Sequence, residues 1–335
     1  MFNFLNINPV PFGLNISDAS IKIISLKKRG KFFKLASWGR TEIEPDIFEN
    51  GEIKNEDKLV ELLKRAIREV KGEKIKTRDA VVSLMDKKTF LGIIKLPKLE
   101  QEELQSAITF QAENYIPLPI NELYFDFQAF PPSTESKDRN DVLLAAFPKK
   151  IIDQHLRIFK KARISPIALE TESQATTRVL SKNSTDSLSF FTIDFGKSGT
   201  TFTIFSGGFL IFSSSIAISS QGLTEAIIQS LKISPDKAEK MKLELDLSSR
   251  KKSDDEKVFK AIEPVLNDLC DQVKKYINSY QDYGYSQEPC ADKANIDGKK
   301  IQKVILFGRG SNLKGLSNFI ESKIKIPVKL AKPFS

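Results

Sequence analysis

Phe12-Gly13-Leu14-Asn15-Ile16-Ser17-Asp18-Ala19-Ser20-Ile21-Lys22-Ile23-Ile24-Ser25-Leu26 decides how the chain is read. Phe12 to Ile16 and Ile21 to Leu26 are short strand-like runs, and Ser17 to Ser20 is a turn of small residues between them. A third strand, Lys31 to Trp38, follows Arg29-Gly30, so the opening is an antiparallel meander. The same order returns in the second half: a strand from Leu188 to Thr192 closed by Asp194-Phe195-Gly196, then Thr201 to Phe205, then Phe209 to Ile218 after Gly207-Gly208. Such an internal repeat is a statement about the fold. It predicts two related α/β domains facing each other across a cleft, each with a turn of phosphate size.

Between the repeats the periodicity changes. Leu59, Leu62, Leu63, Ala66, Ile67 and Val70 recur at helical spacing within Asp57 to Val70, and Ala80 to Leu84 reads as a buried strand. Phe90 to Leu96 is a strand ended by Pro97, and Glu100 to Tyr115 a helix stopped by Pro117 and Pro119. Tyr124 to Phe130 and Val142 to Phe147 are strands either side of a polar loop, Pro131 to Asn140. Residues 88–147 thus read as a β-α-β-β subdomain inserted into a first domain of residues 12–87 and 148–186, which resumes with a helix from Ile151 to Ala162. The second domain is 187–335. Its expected helices are Leu223 to Leu231, Ser234 to Leu247 with Ser234 as N-cap and Pro235 in the first turn, and Lys257 to Tyr280. Ser248 to Lys257 and Gly284 to Lys299 read as loops. The strand Val304 to Phe307, Gly308-Arg309-Gly310, a helix Leu313 to Ile324 and a strand Val328 to Leu330 close the chain.

Composition narrows the chemistry. The chain has 335 residues, 40% of them hydrophobic and 28% charged, which suits folded cores rather than disorder. There is no run of roughly 18 apolar residues, and Met1 to Phe12 lacks the order of a secretory signal, so a cytoplasmic protein is expected. Cys270 and Cys290 are too few for a disulfide framework and read as reduced thiols. The one histidine, His155, excludes mechanisms that need a histidine pair. The net charge is +9, but the cations are interspersed with acids and no nucleic-acid module is visible.

Two turn-bearing repeats and a late strand-glycine-helix turn resemble the actin-fold superfamily. The resemblance implies bound ATP and magnesium, with backbone N–H groups of short turns on the phosphates and an acid holding the metal through water. It places the first loop at Asn15 to Lys22, with Asn15, Ser17 and Lys22 as binding residues. The second loop is Asp194 to Thr201, with Asp194, Gly196, Lys197, Ser198 and Thr200, and Asp194 is the implied metal residue. Glu239 and Lys242 lie on the helix beside the nucleoside, and Gly308, Arg309 and Gly310 form the adenosine turn. This chain departs from the pattern with Asn15 in place of an acid, Ser17 and Ser219-Ser220 in place of glycines, and Arg309 in place of the middle glycine. The departures imply slow or absent ATPase activity, and no catalytic residue is assigned.

Within the superfamily, Glu102-Glu103-Leu104, Gln111-Ala112-Glu113, Tyr115-Ile116-Pro117-Leu118-Pro119 and Tyr124-Phe125-Asp126-Phe127 are similar to the PilM family of type IV pilus assembly proteins. The resemblance runs from Phe12 to Phe334. It implies a cytoplasmic scaffold that lies against the inner membrane only through its partners. In this reading a groove captures the cytoplasmic tail of a PilN-like protein, with Phe110, Tyr115, Ile116, Leu118 and Phe125 around it. The pilus assembly ATPase and platform proteins are the other implied partners. Two alternatives come from the same fold. A small-molecule kinase needs a general-base Asp or Glu at the γ-phosphate. A filament-forming FtsA-like protein is expected to carry an amphipathic membrane helix beyond the last strand, where this sequence has five residues after Leu330.

Overall fold

The computed structural model of the chain describes residues 10–30, 32–49, 51–130, 139–181, 189–206, 209–249, 253–283 and 300–331. Lys31, most of the expected 131–140 loop, Leu188, Gly207-Gly208, the 284–299 loop with Cys290, and Lys332-Pro333-Phe334 lie outside the described residues. In chain order the first elements are β1 (Phe12–Ile16), β2 (Ser20–Arg29), β3 (Phe32–Glu42), the two-residue strands β4 (Phe48–Glu49) and β5 (Glu52–Ile53), α1 (Glu56–Arg68), β6 (Lys71–Gly72) and β7 (Asp79–Leu84). Then come β8 (Phe90–Pro97), α2 (Gln101–Tyr115), β9 (Leu123–Ala129), β10 (Arg139–Pro148), α3 (Lys149–Ala162), β11 (Ser165–Thr171) and α4 (Glu172–Ser181). The rest are β12 (Phe190–Phe195), β13 (Thr200–Ser206), β14 (Phe209–Ile216), α5 (Ser220–Leu231), α6 (Pro235–Glu244), α7 (Ser253–Tyr283), β15 (Lys303–Phe307), α8 (Leu316–Ile324) and β16 (Val328–Leu330).

The repeat read from the sequence is a repeat of topology. One sheet runs β11-β7-β1-β2-β3-β6 and another β14-β13-β12-β15-β16. In both, a central strand pairs antiparallel with the next strand along the chain and parallel with a later one: β1 with β2 and β7, β12 with β13 and β15. The parallel partners are reached by helical crossovers, as parallel pairing requires. Strands β8, β10 and β9 form a three-stranded sheet of their own.

The chain divides into two compact units, Met1–Phe90 with Thr109–Asp126 and Ala145–Ala175, and Leu91–Ile108 with Phe127–Leu144 and Thr176–Ser335. In the first unit Phe12, Leu14 and Ile16 alternate into a core shared with Ile21, Ile23, Val82, Leu59 and Leu63, the period-2 and period-3.6 patterns meeting face to face. On one face of β12 Phe190 packs on Phe205, with ring centroids 4.6 Å apart; on the other lies the second core, rich in phenylalanine, where Phe191 packs on Phe202, 5.3 Å apart, with Phe195 in the same cluster. Helix α7 lays Val258, Ile262, Leu266, Leu269, Val273 and Ile277 along this core and carries Pro264 in its interior.

Among the boundaries that differ from the sequence reading, three have a clear local reason. Helix α6 stops at Glu244 rather than Leu247, because Asp246 forms a parallel bridge to Lys314 and the Leu247 N–H donates to the Lys314 carbonyl (2.9 Å). Ser234 holds the N-cap position but its side chain makes no capping bond. Helix α7 begins at Ser253, inside the expected charged loop: Asp254, Asp255 and Glu256 are its first turn, where acids are favoured by the N-terminal dipole. Helix α8 begins at Leu316, after a 3-10 turn at Arg309–Asn312 and Gly315, whose φ of 78° turns the chain. Among the described residues no helix is long and apolar enough to cross a membrane.

Candidate functional site

In the first unit the Ser17 to Ser20 turn satisfies itself. Its four amides are all committed: Ser17 N–H donates to the Ser20 carbonyl (3.1 Å), Asp18 N–H to Met85 Sδ (3.1 Å), and Ala19 and Ser20 N–H to Ser17 Oγ (3.3 and 3.1 Å). A serine where the family pattern has glycine therefore supplies the acceptor that a phosphate would otherwise be. Asp18 is paired with Lys87 (2.8 Å).

Asn15 is engaged in the same way. Its Nδ2 donates to Ser83 Oγ (3.0 Å) and to Glu172 Oε1 (2.6 Å), while its Oδ1 is buried and accepts nothing. Glu172 opens α4 at the end of β11, and burial holds its pKa above the usual glutamate value; the Asn15 bond and the Lys22 and Lys87 charges pull it the other way. Asp86, at the end of β7, accepts from the Ser173 hydroxyl and from Ser173 N–H (3.2 Å). Burial first, and then the Glu172 charge, push Asp86 up to about 6. Helix α4 is anchored there by a reciprocal box: Thr171 Oγ1 accepts from Gln174 N–H and Thr171 N–H donates to Gln174 Oε1, both 3.1 Å. Neither Glu172 nor Asp86 is in the set read from the sequence, although Thr171-Glu172-Ser173-Gln174 carries the capping-box signature that would have placed the first of them.

In the second unit Asp194 ends β12 and Gly196 turns toward β13. Gly196 N–H donates to the Gly199 carbonyl (2.9 Å), which stands 2.6 Å from where a Cβ on Gly196 would lie. The carbonyls of Gly196 and Lys197 accept from the Ser220 and Gln221 amides at the start of α5, both 3.0 Å. Thr200 is buried, donating to the Ile218 carbonyl (2.6 Å), and Ser198 is exposed. Gly308, with φ of 88°, and Gly310 pack directly on this strand end. A Cβ on the first would stand 2.3 Å from Asp194 Oδ1, and on the second 2.4 Å from the Phe195 ring. The structure thus brings Asp194, Gly196, Gly308 and Gly310 together.

Lys242 is a buried strut between α5 and α6. Its Nζ donates to the Ser220 carbonyl (2.9 Å) and hydroxyl (3.1 Å) and to Thr224 Oγ1 (2.7 Å), and pairs with Glu239 (2.7 Å). Burial lowers its pKa against the Glu239 bond that raises it. Glu239 itself sits below the usual glutamate value: burial raises it, and the Lys242 and Thr224 bonds with the Lys242 and Arg309 charges outweigh that. Arg309 is exposed, with its guanidinium 3.9 Å from Glu239.

These residues test the nucleotide that the fold implies. The first turn does not fit a phosphate, because amides 17 to 20 have acceptors already, and the buried Asn15 Oδ1 is closed to a hydrated metal. Among the described residues no cluster of three His, Cys, Asp or Glu could hold a metal ion.

The expected partner-binding residues separate by exposure. On α2, Leu104, Ile108, Ala112 and Ile116 form a buried stripe at four-residue spacing, while Phe110 faces outward at 69% exposure. Ile116 is thus core; Leu118 and Phe125 are half-buried. The side chain of Tyr115 lies outside the described residues. The first unit has an apolar pocket lined by Ile16, Leu84, Met85, Phe147, Ile151 and His155, with Lys87 also on its wall. His155 is buried, its Nδ1 bonded to the Ile151 carbonyl (2.8 Å), and burial lowers its pKa.

Comparison with known proteins follows the same lines. A solved PilM-PilN type IV pilus biogenesis complex matches at a TM-score of 0.80 with 21% identity, over 97% of this chain and 88% of that one. The ethanolamine utilization protein EutJ of Carboxydothermus hydrogenoformans matches at 0.55 with 13% identity, over 96% and 86%. MreB5 of Spiroplasma citri, solved with ADP, matches at 0.53 with 10% identity, over 96% and 92%. The fold is therefore actin-like. The family model for type IV pilus assembly protein PilM matches residues 13–335, and the chain belongs to that family.

Proposed function

We infer that this chain is a scaffold of type IV pilus assembly that holds the cytoplasmic tail of a PilN-like membrane protein. The observation that carries the reading is the match to a PilM-PilN complex over nearly the whole chain, joined to family membership. The pocket beside Met85 and Ile151 supplies a seat for an apolar side chain of an extended tail. Residues 88–147 act as the partner-binding module, with Phe110, Leu118 and Phe125 as accessible side chains around the tail. The scaffold stands in the cytoplasm, and the tail keeps it near the membrane, within reach of the assembly ATPase and platform protein.

ATP and magnesium are the ligands that the fold implies. Glu239 and Arg309 beside the Gly308 turn are the residues that would meet a nucleotide. The closed first turn argues that tail binding does not depend on it and that ATPase activity is slow or absent.

The reading is tested with a fluorescently labelled peptide of the PilN-like tail. Met85→Glu puts a charge against the apolar pocket and weakens binding at least tenfold, roughly 1.4 kcal/mol, while a thermal melt of the free chain reads separately the cost of losing the Met85 Sδ acceptor of Asp18 N–H. Tail affinity unchanged in Met85→Glu would reject the pocket.

A further inference from the structure

Between Lys22 and Arg40 the β2–β3 hairpin carries one sign of charge, with Glu42 beyond this stretch paired to Arg40 (2.9 Å). From Lys22 to Arg40 the sequence has seven Lys and Arg and no Asp or Glu, in a chain whose net charge is +9. The same stretch exposes Phe32 (79%), Phe33 (60%), Leu35 (47%), Trp38 (45%) and Ile24 (42%). Single exposed apolar residues are ordinary, but several on one hairpin make a patch that needs an occupant.

Register arranges them. Ile24 lies opposite Trp38, Leu26 opposite Leu35 and Lys28 opposite Phe33, and these pairs alternate with Ser25–Ser37 and Lys27–Lys34. Period-2 alternation therefore places Ile24, Trp38, Leu26, Leu35 and Phe33 on one face as an apolar ladder. The cationic pair Lys22 and Arg40 stands at one end and Lys28 at the other. Arg29 pairs with Phe32 at the tip, where Gly30 turns with φ of 62° and has nothing within 4 Å of its absent Cβ. Lys71 Nζ sits 4.7 Å over the Trp38 ring.

The pattern discriminates between occupants. Cores of protein–protein interfaces are poor in lysine, whereas elements that lie in the bilayer interface join Phe, Leu and Trp to a Lys- and Arg-rich border. Each cation near an anionic leaflet adds to the attraction. We propose that the ladder face of the β2–β3 hairpin is a membrane-contact surface, with Phe33, Leu35 and Trp38 entering the headgroup region of an anionic bilayer while the surrounding Lys and Arg take lipid phosphates. The surface does not depend on capture of the PilN-like tail; where both operate, the two attachments reinforce each other through effective concentration.

Trp38 is the one tryptophan of the chain, so its emission reports on this surface alone. The experiment is titration of the full chain with phosphatidylcholine vesicles, with and without phosphatidylglycerol, read by Trp38 emission and by co-sedimentation. Binding and a blue shift are expected with the anionic vesicles and not with the neutral ones. The Lys28→Ser, Arg29→Ser variant weakens partitioning about thirty-fold, and the Phe32→Ser, Phe33→Ser variant weakens it roughly tenfold or more. Both pairs are exposed at the tip, so melting temperatures match wild type. Absence of binding to anionic vesicles, or binding by both variants equal to that of wild type, would overturn the proposal. So would a concentration-dependent oligomer that Phe32→Ser, Phe33→Ser dissolves while vesicles leave Trp38 unchanged, since that assigns the ladder to a second copy.

Discussion

Asn15 stands where the wider fold carries an acid, and its surroundings explain why an acid is not tolerated here. Its amide nitrogen lies 2.6 Å from Glu172 Oε1, a carboxylate that burial already holds toward its neutral form. Asn15→Asp replaces a donor with a second carboxylate, and like charges at that distance cannot both ionise. The shared proton raises the folded-state pKa of the pair above its unfolded value, so the native state binds more protons than the unfolded state at intermediate pH. Stability relative to wild type is therefore lost as pH rises and regained as pH falls through the raised value. A cost on the order of 1–3 kcal/mol at pH 7.5, shrinking by pH 5, is the expected outcome of thermal melts at the two pH values. An equal gap at both would mean that Asn15 and Glu172 are not coupled.

At the scale of elements, the two glycine turns of the second unit are joined by contact rather than by flexibility alone. Gly310 has no room for a methyl group because the Phe195 ring occupies it, and Phe195 is fully buried. Gly310→Ala is expected to cost about 1–3 kcal/mol by overpacking, measured by chemical denaturation; a neutral result would show that the turn can shift off β12. This turn was legible in the sequence, as were both meanders, because small residues interrupt alternating strands there. Strand β11 and helix α4 were not. Ser165-Pro166-Ile167-Ala168-Leu169 has no clean alternation of burial, and the capping box after it is short. The acids of the α7 first turn read as loop in the sequence because charge alone does not distinguish a solvated linker from a helix start. The Asp86–Ser173 contact, 87 residues apart in the chain, joins the ends of β7 and β11, which come together only once those strands pair. The glycine positions of the site were therefore readable from local pattern, and the acid pair was not.

Across the whole molecule the duplicated actin-like topology persists, while the first turn is closed to phosphate. Closure comes from Ser17 Oγ, which accepts from the Ala19 and Ser20 amides, and from the Asn15 Nδ2–Glu172 Oε1 contact; the partner capture proposed above does not draw on that turn. Coupling between a nucleotide and the partner would require ATP to interact differently with the tail-bound and tail-free states, and the first turn offers it no amide with which to do so. The most direct measurement is a calorimetric titration of the chain with a synthetic PilN-like tail peptide, in the absence and presence of ATP and magnesium. Saturable binding of the peptide with the same affinity in both conditions is expected. Peptide affinity that appears only with ATP, or shifts more than about fivefold when it is added, would show that the nucleotide governs tail capture.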